Sequence, residues 1–149
     1  MKSMARYSRE ELENYGMSDS LPGNQQSKYA PASAAPKINI DPQWEVHPLD
    51  VHKLKNTGTE ILILDVRQQK EWDITRIDGA LLIPLDQLPQ RFAELETWRD
   101  NPIVVHCHHG ARSLRAAAWL RQAGFAQVKS MAGGIEAWSL MVDQDVPRY

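Results

Sequence analysis

The sequence predicts a small doubly wound α/β domain, a mainly parallel sheet flanked by helices, preceded by a polar extension. Two observations carry this expectation. Short aliphatic runs at residues 61–64, 81–83 and 103–105 are apolar at every position, as strands covered on both faces by helices must be. Stretches with helical spacing separate or follow these runs, and such strand–helix alternation is the signature of an α/β fold.

Residues 1–43 differ from the rest. The stretch 23–36 is polar, small and punctuated by proline, with no run able to bury a face. Lys2, Arg6, Arg9, Lys28 and Lys37 are offset by Glu10, Glu11, Glu13, Asp19 and Asp41, so the segment is neutral. Ser8 and Glu11 have the spacing of a capping box, but a helix of one or two turns without a partner is marginal. A flexible polar tail is the expectation for 1–43, and a single domain for 44–149.

Within that domain a first helix is predicted over 48–56, ended by Gly58. The apolar run at 61–64 follows as a strand, and that at 81–83 as another. Leu88, Phe92 and Leu95 recur at spacings of four and three, which predicts one helical face with Pro89 near its start. After the strand at 103–105, Leu114, Ala117, Ala118 and Leu120 are expected to face inward on a helix stopped by Gly124. A strand over 125–131 and a helix over 135–141 complete the order. Trp72, Trp98, Trp119 and Trp138 read as packing residues.

Charge and hydropathy narrow the function. A formal net charge of -2 offers no basic patch for nucleic acid. The aliphatic run at 61–64 is far short of the roughly 20 residues that span a bilayer, and residues 1–10 are charged with no apolar core, unlike a secretory leader. A cytoplasmic protein without a membrane partner is expected.

The chain has one cysteine, Cys107. A lone cysteine is either a small buried hydrophobe or a reactive thiol. Its position favours reactivity, because it ends a strand and opens a short turn, His108, His109, Gly110 and Ala111, ahead of a helix starting near Arg112 and Ser113. Ligands of open α/β sheets sit where strands end and helices begin. A tight turn there aims backbone N–H groups inward, with Gly110 free to adopt a conformation other residues resist. The helix N-terminus, Arg112, Arg115 and any protonated His108 or His109 would all favour the thiolate, which is the nucleophilic form.

The stretch 106–113, His-Cys-His-His-Gly-Ala-Arg-Ser, resembles the active-site loop of rhodanese-like sulfurtransferases. Asp65, Val66 and Arg67, then Glu71 and Trp72, then Gly79, Ala80, Ile83 and Pro84, resemble the signature of that family's first half. Residues 133–138, Gly-Gly-Ile-Glu-Ala-Trp, resemble its C-terminal signature. Arg76 stands near a position where the family often carries histidine. The resemblance implies a rhodanese-like fold and a thiosulfate sulfurtransferase activity in which Cys107 accepts sulfane sulfur as a persulfide. His108, His109, Gly110, Ala111 and Arg112 would bind the substrate, Arg112 through its planar fork. No cofactor is implied. The partners implied are a small-molecule sulfur donor and acceptor, with a sulfur-carrier protein, thioredoxin or cysteine desulfurase as protein counterparts.

Other readings are weaker. His106, Cys107, His108 and His109 are contiguous, whereas zinc ligands are usually spaced by two to four residues, so no metal site is expected. His47 and His52 suit capping or solvent-facing roles, and His106 a hydrogen-bonded packing role. Asp65 and Arg67 suit a structural role beside the pocket. A phosphatase or arsenate reductase of related fold would have five residues between cysteine and arginine; four separate Cys107 from Arg112. A persulfide carrier or regulatory binding module remains the alternative from another class.

Overall fold

The computed structural model describes residues 38–149. The capping box expected at Ser8 and Glu11, and the tail up to residue 37, lie outside the described residues. Residues 38–43, assigned from sequence to the extension, contact the domain. Ile38 packs against the core, and the Pro42 carbonyl accepts a hydrogen bond from Lys129 Nζ at 2.7 Å.

Five parallel strands form one sheet in the order β1-β5-β4-β2-β3. They are β1 (Glu45–Val46), β2 (Leu62–Asp65), β3 (Leu81–Leu82), β4 (Ile103–His106) and β5 (Val128–Met131). The helices are α1 (Pro48–Asn56), α2 (Gln69–Ile74), α3 (Leu88–Arg91), α4 (Ala111–Gln122) and α5 (Gly134–Met141). Among these residues no helix is long and apolar enough to cross a membrane.

Successive strand residues point to opposite faces, so the sheet divides the core in two. Leu64 and Val105 join Leu88, Leu95, Ala117 and Leu120 on one side. Ile63 and Val104 join Val51, Ile135, Trp138 and Met141 on the other. Each fully buried Leu or Ile removes apolar surface worth roughly 1.5–3 kcal/mol from water. Continuous apolar runs are therefore what a central strand covered by α3 and α4 above and α1 and α5 below requires.

The fold departs from the expected elements in several places. The helix anticipated through Leu88, Phe92 and Leu95 is α-helical only over Leu88–Arg91; Phe92–Trp98 is a 3₁₀ helix. A 3₁₀ helix repeats every 3.0 residues, so side chains three apart share a face. Phe92, Leu95 and Trp98 have that spacing, and all pack against the same core cluster. On α4 the buried positions are Ser113, Ala116, Ala117 and Leu120, while Leu114 and Ala118 are only partly covered. The last strand is the shorter Val128–Met131, and β1 and α2 were not anticipated.

Candidate active site

β4 delivers Cys107 to the carboxyl edge of the sheet, beside α4. Gly110 caps α4 with φ 118°, and the turn before it closes on the sulfur. The Gly110 N–H donates to Cys107 Sγ at 3.1 Å and the Ser113 N–H at 3.4 Å. The thiol in turn donates to Ser113 Oγ at 3.4 Å. That hydroxyl donates to the Gly110 carbonyl at 3.1 Å and is 2.7 Å from Ser130 Oγ on β5. Cys107 is 1% exposed, so its sulfur forms the floor of the loop and not part of the outer surface.

A second segment holds the loop from outside. The Ile135 N–H donates to the Cys107 carbonyl at 2.9 Å and the Glu136 N–H to the His108 carbonyl at 3.1 Å. This approach is possible because residue 134 is glycine. At its φ of +61° an added Cβ would lie 2.4 Å from the His108 oxygen and 2.5 Å from the Cys107 oxygen.

At the end of β2, beside His106, lies a buried charged group. The Arg67 guanidinium and the Asp65 carboxylate are both fully buried, with Nη2 to Oδ2 at 2.7 Å and Nε to Oδ1 at 3.0 Å. Arg67 also donates to the carbonyls of Thr75 and Glu71 at 2.7 and 3.3 Å, tying α2 to the end of β2. This matches the structural role expected of the pair. His106 is fully buried too, but it is less well bonded than expected: Nε2 has no hydrogen-bond partner and lies 3.7 Å from Asp65 Oδ2. Burial pushes the His106 imidazole below its ordinary pKa, which keeps the ring neutral beside Arg67.

At the rim, Arg112 Nη1 and Nη2 donate to Glu71 Oε2 and Oε1 at 2.8 and 2.9 Å. The fork expected to meet a donor is thus occupied by a carboxylate of α2. Glu71 also accepts from the Gln68 N–H at 2.9 Å and the Tyr149 hydroxyl at 2.8 Å. The Arg112 guanidinium is the main cause that lowers the Glu71 carboxyl to about 2. Tyr149 stacks on His108 with ring centroids 4.0 Å apart and planes 9° from parallel, and His109 stacks on His108 at 3.9 Å. Burial lowers the His108 pKa, which disfavours the protonated form that would have helped the thiolate. Arg112 and Arg115 open onto a groove of about 470 Å³ lined also by Gln68, Leu85, Leu88 and Trp119.

The structure therefore places the Gly110 N–H against Cys107 Sγ and Arg112 on the first turn of α4, while His108 and His109 stack on one another in the intervening turn. Ala111 is an exposed first-turn residue of α4. His47 caps α1, accepting from the Leu49 N–H at 3.1 Å, and His52 packs edge-on against Trp138. Sequence reasoning missed Ser130 and Tyr149, and it placed Ser113 and Gly134 in matching segments without giving either a role. The adjacent Gly133 and Gly134 ahead of an apolar helix were the available hint, since paired glycines permit close backbone approach. Nothing local marks Tyr149.

The family model of the rhodanese-like domain matches residues 47–141, which is most of the chain and contains the whole loop. The chain belongs to the rhodanese-like family. Among similar proteins, the probable adenylyltransferase/sulfurtransferase MoeZ of Mycobacterium tuberculosis is 33% identical over 104 residues, covering 70% of this chain and 26% of that protein. The chain thus spans about a quarter of the length of that relative. The thiosulfate sulfurtransferase GlpE of Stutzerimonas stutzeri is 33% identical over 101 residues, covering 68% of this chain and 89% of that protein. Among solved structures, a rhodanese-like domain protein from Staphylococcus aureus superposes with a TM-score of 0.60 at 22% identity, covering 71% of this chain and 98% of that one. A rhodanese-related protein from Thermoplasma volcanium gives 0.57 at 29%, covering 64% and 89%. The rhodanese-like fold expected from sequence is the fold observed.

Proposed function

We propose that this rhodanese-like chain is a sulfurtransferase that moves sulfane sulfur from a donor such as thiosulfate to a thiophilic acceptor through a persulfide on Cys107. The observation that carries the reading is the pair of main-chain N–H groups, from Gly110 and Ser113, directed at Sγ. Donors fixed in a tight loop stabilise negative charge on sulfur without reorganising. A persulfide places a second sulfur about 2 Å beyond Sγ. His108, His109, Gly110, Ala111 and Arg112 frame the space it enters.

The cycle is a double displacement. The Cys107 thiolate attacks the outer sulfur of thiosulfate, the S–S bond of the donor breaks, and sulfite departs with its electron pair. The remaining Cys107–S–S⁻ gives its outer sulfur to an acceptor nucleophile: cyanide yields thiocyanate and restores the thiolate. In the reducing cytoplasm, where we place the protein, a thiol or a sulfur-carrier protein would accept in its stead. A persulfide carrier that exchanges sulfur with one partner, a cysteine desulfurase or thioredoxin among the candidates, is the second reading. The depth of Cys107 at the loop floor favours a partner able to insert its own reactive end.

The test is intact mass after incubation of reduced protein with thiosulfate. One added sulfur atom is expected, removed by cyanide and absent from Cys107→Ser. A folded, reduced sample that takes up no sulfur from thiosulfate or from a small persulfide overturns the proposal.

A further inference from the structure

Arg112 sits on the first turn of α4 between Gly110 and Ser113, whose N–H groups both donate to Cys107 Sγ, yet its guanidinium is not free. Both ends of its fork are bonded to Glu71, at 2.8 and 2.9 Å. Glu71 is fixed in turn by the Gln68 N–H and the Tyr149 hydroxyl, so donors surround the carboxylate. Tyr149 is anchored independently. Its hydroxyl accepts from Arg67 Nη1 at 3.0 Å and its ring lies flat on His108. Neither Glu71 nor Tyr149 belongs to the loop, and neither is hydrogen-bonded to the sulfur.

An unpaired guanidinium beside a nucleophilic sulfur attracts a small dianion and offers it a bidentate seat. A guanidinium already paired with a carboxylate presents little net charge, and a dianion must displace that carboxylate to be seated. We propose that Glu71 and Tyr149 are specificity-determining residues, which lock Arg112 into a neutral pair and bias Cys107 against small anions in favour of weakly charged reaction partners. The biological meaning of this bias rests on the sulfurtransferase reading; the bias itself is a property of the thiol.

Alkylation of Cys107 measures it directly. Iodoacetamide and iodoacetate transfer a carbon to sulfur with loss of iodide, and they differ by one negative charge. The ratio of the iodoacetate rate to the iodoacetamide rate is read at neutral pH in the full chain and in two variants. Glu71→Gln leaves Arg112 without a counter-charge and should raise the ratio about five- to tenfold, the effect of one nearby charge in a partly wet site. Tyr149→Phe keeps the ring on His108, removes one donor to Glu71, and should raise the ratio about twofold. With Glu71→Gln the apparent KM for thiosulfate should fall while kcat moves less.

An unchanged ratio in Glu71→Gln, or equal acceleration by both reagents, overturns the inference, because the pair would then act only as a steric cover. Where Glu71→Gln does not fold, Tyr149→Phe decides by the same criterion. Sulfur loading with an unchanged ratio leaves the sulfurtransferase reading standing and removes only this one. A thiol that neither reagent reaches in any folded variant removes both.

Discussion

The Ile135 N–H donates to the carbonyl of Cys107 at 2.9 Å, so the start of the last helix grips the reacting loop by its main chain. The Glu136 N–H repeats the grip on His108 at 3.1 Å. Loop shape is therefore set by α5 as well as by α4, and the chemistry should respond to changes on an element that never touches sulfur.

Gly134→Ala should show this. Its Cβ would meet two carbonyl oxygens at 2.4 and 2.5 Å, at a φ of +61° that L residues rarely adopt. A loss of about 1–3 kcal/mol is expected from backbone strain alone. Thermal unfolding should report that loss, and the variant should load sulfur more slowly even at temperatures where it is fully folded.

Asp65→Asn tests the buried pair at the end of β2. It would leave the fully buried Arg67 guanidinium without its counter-charge. Removing one member of such a pair costs roughly 3–5 kcal/mol. Urea unfolding should show it, whereas replacing both residues with apolar ones of similar volume should recover part of the loss.

The Glu71–Arg112 pair predicts a dependence on pH. The folded Glu71 carboxyl is lowered from 4.5 to about 2, chiefly by its hydrogen bonds from Arg112. The stabilisation is therefore fully present above pH 4.5 and is lost as pH falls towards 2. At neutral pH it should be on the order of 2 kcal/mol, since Arg112 is partly exposed and screened. Glu71→Gln should lower stability at pH 7 and flatten the acid limb of a stability–pH profile in that window.

Ser113 and Ser130 should be energetically coupled. Their hydroxyls lie 2.7 Å apart and are both fully buried; Ser113→Ala deprives the Ser130 hydroxyl of that partner, whereas Ser130→Ala leaves Ser113 its bond to the Gly110 carbonyl. Ser113→Ala should cost about 1–3 kcal/mol and Ser130→Ala less, with the double variant costing less than the sum. Denaturant unfolding of the four proteins in the cycle measures the coupling. Ser113→Ala should also slow sulfur uptake, since its hydroxyl touches Sγ, while Ser130→Ala should affect uptake less.

Much of the architecture is legible from the apolar runs that open β2 and β4, whereas β5, with Lys129 and Ser130, carries no such run. The limits of β2 and β4 agree within one residue with the runs at 61–64 and 103–105. The helix expected through Leu88, Phe92 and Leu95 failed for a definite reason: spacings of three suit a 3₁₀ helix as well as an α-helix. β1 escaped notice because Glu45 and Val46 carry no run of their own and pair only through β5. In the site, the loop around Cys107 was readable because its parts are contiguous. Glu71 stood in a recognisable segment, but its partner did not follow from it: Arg112 lies 41 residues on and Tyr149 lies 78. A contact of that kind belongs to the tertiary fold, and no local pattern encodes it.

The two outermost strands, Glu45–Val46 and Leu81–Leu82, are each only two residues long. Unpaired strand margins are where separate chains join into aggregates, and a margin this short offers almost no template. The more apolar strands β2 and β4, four residues each, lie inside the sheet, out of reach of a neighbouring molecule. The protein should accordingly withstand high concentration and repeated heating below its melting point without forming fibrils.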